Sequence, residues 1–286
     1  MWRSAGYPPL ITLSIRHPFC RRWIHAAGTL PRRSSDIQPI LTKSELVDRI
    51  CRILTLERFE AIPKLPFDFY DDILDAVMGR LQLNPTACLG FFNIAMKQAN
   101  FTPNTKSYCK IIHILNNGRM FDDARALTKD LIQSRSTVSF VFNEMLQVYK
   151  DFSFSLKTFD IFFKAYADGG LVKEALFMFD SMGSHGWKPS VRSCNSMLNC
   201  LVKAGEHQTA ALTYEQMLQV GILPDVYTVS AMINAYCKGG RVQKAAEFMA
   251  SMKNKGFEVN LVAHHSLMDG FCSIGQTDHA IEVLSQ

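Results

Sequence analysis

The stretch VYTVSAMINAYCKGGRVQKAAEFMASMKNKGFEVN, residues 226–260, decides the fold, because two earlier stretches carry the same landmarks in the same places. They are VRSCNSMLNCLVKAGEHQTAALTYEQMLQVGILPD (191–225) and LKTFDIFFKAYADGGLVKEALFMFDSMGSHGWKPS (156–190). Gly170, Gly205, Gly240 and Gly275 stand 35 residues apart, as do Ala175, Ala210, Ala245 and Ala280. Met182, Met217 and Met252 keep that step, with Gly186, Gly221 and Gly256 and with Pro189 and Pro224. Columns sharing one register define a repeat, which has to be read before any motif.

Inside each repeat the apolar spacing is helical. Phe159, Phe162, Phe163 and Tyr166 fall at i, i+3, i+4 and i+7, and Cys194, Met197, Leu198 and Leu201 do the same. Val229, Met232, Ile233 and Tyr236 follow suit, then His264, Leu267, Met268 and Phe271. Each set is one stripe of an amphipathic helix. A glycine ends it, where a left-handed cap needs a residue without Cβ. A second helix follows, with Ala175, Phe179 and Met182 and their counterparts facing inward. The later glycine and proline columns stop it. One helical hairpin cannot bury its own apolar face, whereas stacked hairpins can. The expected fold is all-α, an α-solenoid of stacked helix-turn-helix repeats of 35 residues with no strands.

The full repeats span 156–190, 191–225 and 226–260, with a partial one over 261–286. Residues 67–155 hold degenerate repeats, with stripes at Tyr70, Ile73, Leu74 and Val77 and at Tyr108, Ile111, Ile112 and Leu115. Phe142, Met145, Leu146 and Tyr149 begin only 17 residues before Phe159, which predicts a single inserted helix. Residues 36–66 read as a linker and an N-terminal helix, with a charged helical stretch from Ser44 to Glu60 before Pro63 and Pro66.

Composition narrows the function. Of 286 residues, 48% are apolar and 20% charged, with mean hydropathy +0.01, a globular balance. The longest uncharged stretch, Leu81 to Met96, holds Asn84 and Pro85 and is too short to span a bilayer, so no membrane is expected. The eight Cys form no CxxC pair, and no HExxH, GxSxG, GxGxxG or Walker loop occurs. Most enzyme classes with a compact motif therefore drop out, although a motif-free enzyme does not, and no cofactor, metal or small-molecule substrate is expected. The formal charge of +5 misleads, because Arg3, Arg16, Arg21, Arg22, Arg32 and Arg33 lie in an acid-free N-terminal stretch. Without them 25 basic residues face 26 acidic ones. Residues 1–35 read as a transit peptide, mitochondrial over plastid because the stretch uses Arg without Lys and little Ser.

The segment Tyr-Cys-Lys-Gly-Gly-Arg-Val-Gln-Lys-Ala-Ala (236–246), followed by Met252, Gly256 and Asn260, resembles the pentatricopeptide repeat. Lys188-Pro189, Leu223-Pro224-Asp225 and Phe271-Cys272 fit the same family, whereas the Trp-Leu-Gly-Tyr signature of the 34-residue tetratricopeptide repeat is absent. The likeness covers 67–286 and is strongest over 156–286; it points to the P-type of plant organelles. It implies a right-handed superhelix that binds single-stranded organellar RNA in RNA processing, splicing, stability or translation. Other RNA-processing proteins are further partners that it implies. It also implies a chain that is not an enzyme. Such repeats read one base each with two or three side chains. The resemblance places the readers at the fifth and last positions. The fifth are Asp160, Asn195, Ser230 and His265, and the last are Ser190, Asp225 and Asn260. It assigns uracil to Asn195 with Asp225 and adenine to Ser230 with Asn260, and leaves Asp160 and His265 open.

Spacing bears on the same residues. Asn195 and Lys203, like Ser230 and Lys238, are eight apart, about 80° around a helix. Both pairs lie off the apolar stripe and are expected to face solvent or ligand, the amide or hydroxyl toward a base and the Lys toward phosphate. Arg192 and Tyr227, second in their repeats, offer planes for stacking. Asp168 and Ser273 interrupt the Lys column. Adjacent His264 and His265 project at different angles and have no carboxylate or Cys at ligand spacing, so no metal is expected. Cys237 and Cys272 read as packing residues. The alternative function is a protein-binding scaffold, which would need no polar pair recurring at fixed spacing.

Overall fold

A computed structural model describes residues 42–134, 136–152 and 155–284. The Arg-rich stretch read as a transit peptide lies outside them. The described residues form α-helices and no strand. They are α1 (Lys43–Thr55), α2 (Asp71–Arg80), α3 (Pro85–Met96), α4 (Thr105–Asn117), α5 (Phe121–Gln133), α6 (Val138–Phe152) and α7 (Lys157–Asp168). There follow α8 (Val172–Ser184), α9 (Val191–Lys203), α10 (His207–Gln219), α11 (Val226–Lys238), α12 (Val242–Asn254), α13 (Leu261–Ser273) and α14 (Thr277–Leu284).

From α7 onward the helices pair into antiparallel hairpins, α7 with α8 through α13 with α14. The first helix of each hairpin packs on the first helix of the next, so α7, α9, α11 and α13 form one row. Their stripes make the core: Phe159, Phe162, Phe163, Met197, Leu198, Leu201, Val229, Met232 and Ile233 are buried. Ala175, Ala210, Ala245 and Ala280 are buried on the second helices, where a small side chain lets two helices approach.

The left-handed glycines among the described residues are the two repeat columns, with φ between 71° and 84°. At Gly240 this conformation lets Arg241 N–H donate to the Tyr236 carbonyl at 2.8 Å, closing α11. Between α4 and α5 the same closure falls on Arg119, at φ 62°, with Met120 N–H donating to the Leu115 carbonyl at 2.9 Å.

Three details depart from the sequence reading. The helix expected from Ser44 to Glu60 ends at Thr55; Glu57 turns left-handed at φ 56° and a 3-10 helix follows over Phe59–Lys64. Tyr70 precedes α2 and is exposed. In α13 the buried face is Ala263, Leu267, Gly270 and Phe271, with His264 and Met268 half-buried. Gly270 explains that rotation, because a Cβ there would meet Cys237 Sγ at 2.9 Å, so its absence lets α13 lie against α11. Cys237 is therefore a packing residue, whereas Cys272 is exposed.

Helix α6 stands between two hairpins and packs along α4. Its Phe142 meets Phe159 with ring centroids 5.4 Å apart, and Tyr149 meets Trp187 at 5.6 Å.

Candidate nucleic-acid interface

The row of first helices carries the residues singled out above. Each last-position residue is the N-cap of the next first helix. Ser190 accepts the Ser193 amide at 3.2 Å, Asp225 the Thr228 amide at 2.8 Å, and Asn260 the Ala263 amide at 3.0 Å. Ser, Asp and Asn are the residues that satisfy orphan N–H groups at a helix start.

The same residues touch the fifth position of their own repeat, on the first helix of the preceding hairpin. Asp160 Oδ1 accepts Ser190 N–H at 2.8 Å, Asn195 Nδ2 donates to Asp225 Oδ1 at 2.9 Å, and Ser230 Oγ donates to Asn260 Oδ1 at 2.6 Å. All three pairs are 30 residues apart in sequence. Asp225 is pushed up by desolvation, but hydrogen bonds from Thr228 and Asn195 outweigh this and hold its carboxyl below the ordinary range. At neutral pH it is an acceptor-only carboxylate.

One expectation is corrected here. Asn195 and Ser230 do not face out freely; they are 8% and 7% exposed. The cap of the next helix lies beside each and covers it, which a wheel drawn for one isolated helix does not register. His265 is exposed. Arg192 is exposed, and Tyr227 is 69% exposed. Lys203 and Lys238 are exposed in the last turns of α9 and α11. At Asp168 the interruption of the Lys column is offset, because Lys164 Nζ donates to Asp168 Oδ2 at 2.6 Å and to Ser196 Oγ at 2.9 Å. A groove of about 420 Å³ runs there between α7 and α9, past Asp168, Ser196, Asn199 and Lys203.

Two sets of residues escaped the sequence reading. Ser193 and Thr228, third in their repeats, are buried beside the pairs, and their own 35-residue spacing was the available signal. Earlier in the chain Asn104 caps α4 through Ser107 N–H at 2.8 Å, and Ser107 Oγ lies 3.4 Å from Asp75 Oδ1. Buried Lys110 donates to the Asp75 carbonyl at 2.6 Å. Asp75 and Asn104 are one residue closer in sequence than the later pairs, which hid them from a fixed register.

Burial pushes the Cys194 thiol up to about 12 and that of Cys237 to about 11, so neither is a ready nucleophile. Among the described residues no group of three or more His, Cys, Asp or Glu is placed to hold a metal ion. No helix among them is long and apolar enough to cross a membrane.

Comparison with known proteins bears on this row of helices. The PPR repeat family matches residues 189–238 and 230–273, and the PPR repeat itself matches 157–187 and 262–286. An Arabidopsis thaliana pentatricopeptide repeat-containing protein is 42% identical over 193 residues, 66% of this chain and 21% of that protein. Another from the same plant, named as mitochondrial, is 30% identical over 169 residues, 56% of this chain and 22% of that protein. The chain thus spans about a fifth of the length of each. Among solved structures, the pentatricopeptide repeat protein PPR10 from maize is 22% identical with a TM-score of 0.44, covering 88% of this chain and 39% of that one. The maize protein has also been solved in complex with an 18-nt psaJ RNA element. From the matched repeats and the 42% identical relative, the chain belongs to the pentatricopeptide repeat family.

Proposed function

We propose that this chain binds single-stranded RNA, one base per repeat, as a P-type adaptor without catalytic activity of its own. The observation that carries this is the row of fifth-to-last pairs, Asp160 with Ser190, Asn195 with Asp225 and Ser230 with Asn260, each closed by a hydrogen bond at the same sequence spacing. A peptide scaffold has no need of a polar pair recurring in each repeat, whereas reading one base per repeat does. Exposed Tyr227 and Arg192 flank the Asn195 pair from the second positions and supply stacking surfaces. Lys203 and Lys238 supply phosphate contacts. The compartment we propose is the mitochondrion, supported by the Arg-rich N-terminus and by a relative named as mitochondrial, with a plastid as the alternative. The role is in RNA processing, splicing, stability or translation.

Titration with single-stranded RNAs that differ at two adjacent bases tests the reading. Asn195 with Asp225 is expected to prefer U and Ser230 with Asn260 to prefer A, giving 5′-UA-3′. Each matched base is worth about 1–3 kcal/mol. The double variant Asn195→Ser, Asp225→Asn should move the first preference from U to A. Equal binding of all four bases before and after the change would favour the protein scaffold.

A further inference from the structure

The amide of Asn195 has two ends, and what holds each end decides what it offers a base. A side-chain amide carries two N–H groups and two carbonyl lone pairs. Asp225 Oδ1 takes one N–H at 2.9 Å, and Thr228 Oγ1 lies 2.7 Å from the carbonyl oxygen. A carboxylate can only accept, so the nitrogen end must face Asp225. The Thr228 hydroxyl is itself fixed, accepting Asp225 N–H at 3.1 Å and lying 2.9 Å from Asp225 Oδ1. That oxygen already receives the Thr228 amide at 2.8 Å and the Asn195 amide, so the hydroxyl proton is best used on the closer Asn195 carbonyl. One N–H and one lone pair of Asn195 are left, in a fixed order.

We infer that Thr228 is a positioning residue that sets the donor–acceptor order of Asn195 and through it the choice of uracil over cytosine at this repeat, an inference that rests on the RNA-binding reading above. Uracil presents an N3–H donor beside the O4 acceptor; cytosine presents the reverse, an N3 acceptor beside an N4–H donor. An amide tethered at both ends matches one order only. An amide tethered at Asp225 alone can swing its carbonyl out of that plane and discriminates less. Thr228 is 0% exposed, so it acts through Asn195 and not by touching RNA. The neighbouring repeats lack this relay. Ala263 has no hydroxyl, and Ser230 is held by the Val226 carbonyl at 2.9 Å and by Asn260. Ser193 Oγ meets Ser190 Oγ at 3.0 Å and the backbone carbonyl of Asp160 at 3.4 Å, and neither is the side chain at the fifth position.

The test uses the full chain with Thr228→Val, which keeps shape and loses the hydroxyl, and Thr228→Ser, which keeps the hydroxyl. Thr228→Ala serves beside the valine variant if the latter folds poorly. RNAs carry U or C opposite Asn195, and A or G opposite Ser230 as an internal control. Thr228→Val should lower the U-over-C ratio about five- to tenfold, the worth of one hydrogen bond, and Thr228→Ser should restore it. The A-over-G ratio should stay unchanged in every variant. A merely structural role would weaken all RNAs alike, and that result would overturn the inference. So would an unchanged U-over-C ratio in Thr228→Val while the wild type still prefers U; the RNA-binding reading would then survive. A wild type with no base preference at either position would overturn both.

Discussion

Gly240 and Arg119 occupy the same left-handed turn in different hairpins, and the comparison isolates what the backbone asks of a residue there. A Cβ added at Gly240 meets nothing within 4 Å, so the cost of Gly240→Ala is conformational alone, about 1–2 kcal/mol. Arg119 already bears that strain at φ 62°. Arg119→Gly should therefore raise stability, by roughly 0.5–1 kcal/mol after the entropy lost from the unfolded chain is counted. Urea unfolding of the two variants checks both signs, and a loss of stability in Arg119→Gly would sink the argument. Positions such as Gly240 were legible because a recurring glycine after a helical stripe has one main physical cause. The burial of Asn195 was not legible, since it depends on Asp225, 30 residues away and brought close only by stacking. Thr228 was passed over for a similar reason: a threonine in the first turn of a helix looks like a local cap until its contact across the row is seen.

The inserted helix α6 puts a titratable group where water does not reach. His113 of α4 is fully buried, its ring facing Phe159 with centroids 6.0 Å apart. Burial pushes it down to about 3 from an ordinary 6.5, against an opposing hydrogen bond with the Met145 backbone of α6. The folded state keeps His113 neutral where the unfolded chain takes up a proton. Stability is thus complete above pH 6.5 and falls as pH drops through the window toward 3. At pH 5 the loss should be about 2 kcal/mol. His113→Leu removes the titration, so the difference in unfolding free energy between pH 7.5 and 5 should shrink by that amount. An equal acid response in both proteins would mean that α6 opens to let His113 charge. The sequence announced α6 through a stripe out of register, but not its contact with α4, because no spacing rule says which neighbour an odd helix will choose.

Charge along the chain is divided in a way that the total of +5 conceals, with six Arg and no acid in the first 35 residues and near neutrality after them. A cationic segment is drawn by a negative-inside membrane potential. A reporter fused to residues 1–40 should enter mitochondria, and one that stays cytosolic would remove that compartment from the proposal. Under the proposed function the solenoid would hold RNA by local contacts rather than by bulk charge. Its row of first helices has a further consequence, because one side chain at each junction both starts a helix and completes a polar pair with the fifth position. Ser190, Asp225 and Asn260 come from the short set of residues that cap well, and replacing such a cap by Ala costs about 1 kcal/mol. Under selection, exchanges within that set leave each junction nearly as stable, while exchanges outside it each carry that cost. Where these pairs read RNA as proposed, the vocabulary open to evolving recognition is thereby weighted toward a few polar letters, and drift from one target to another can proceed among them with little penalty in folding.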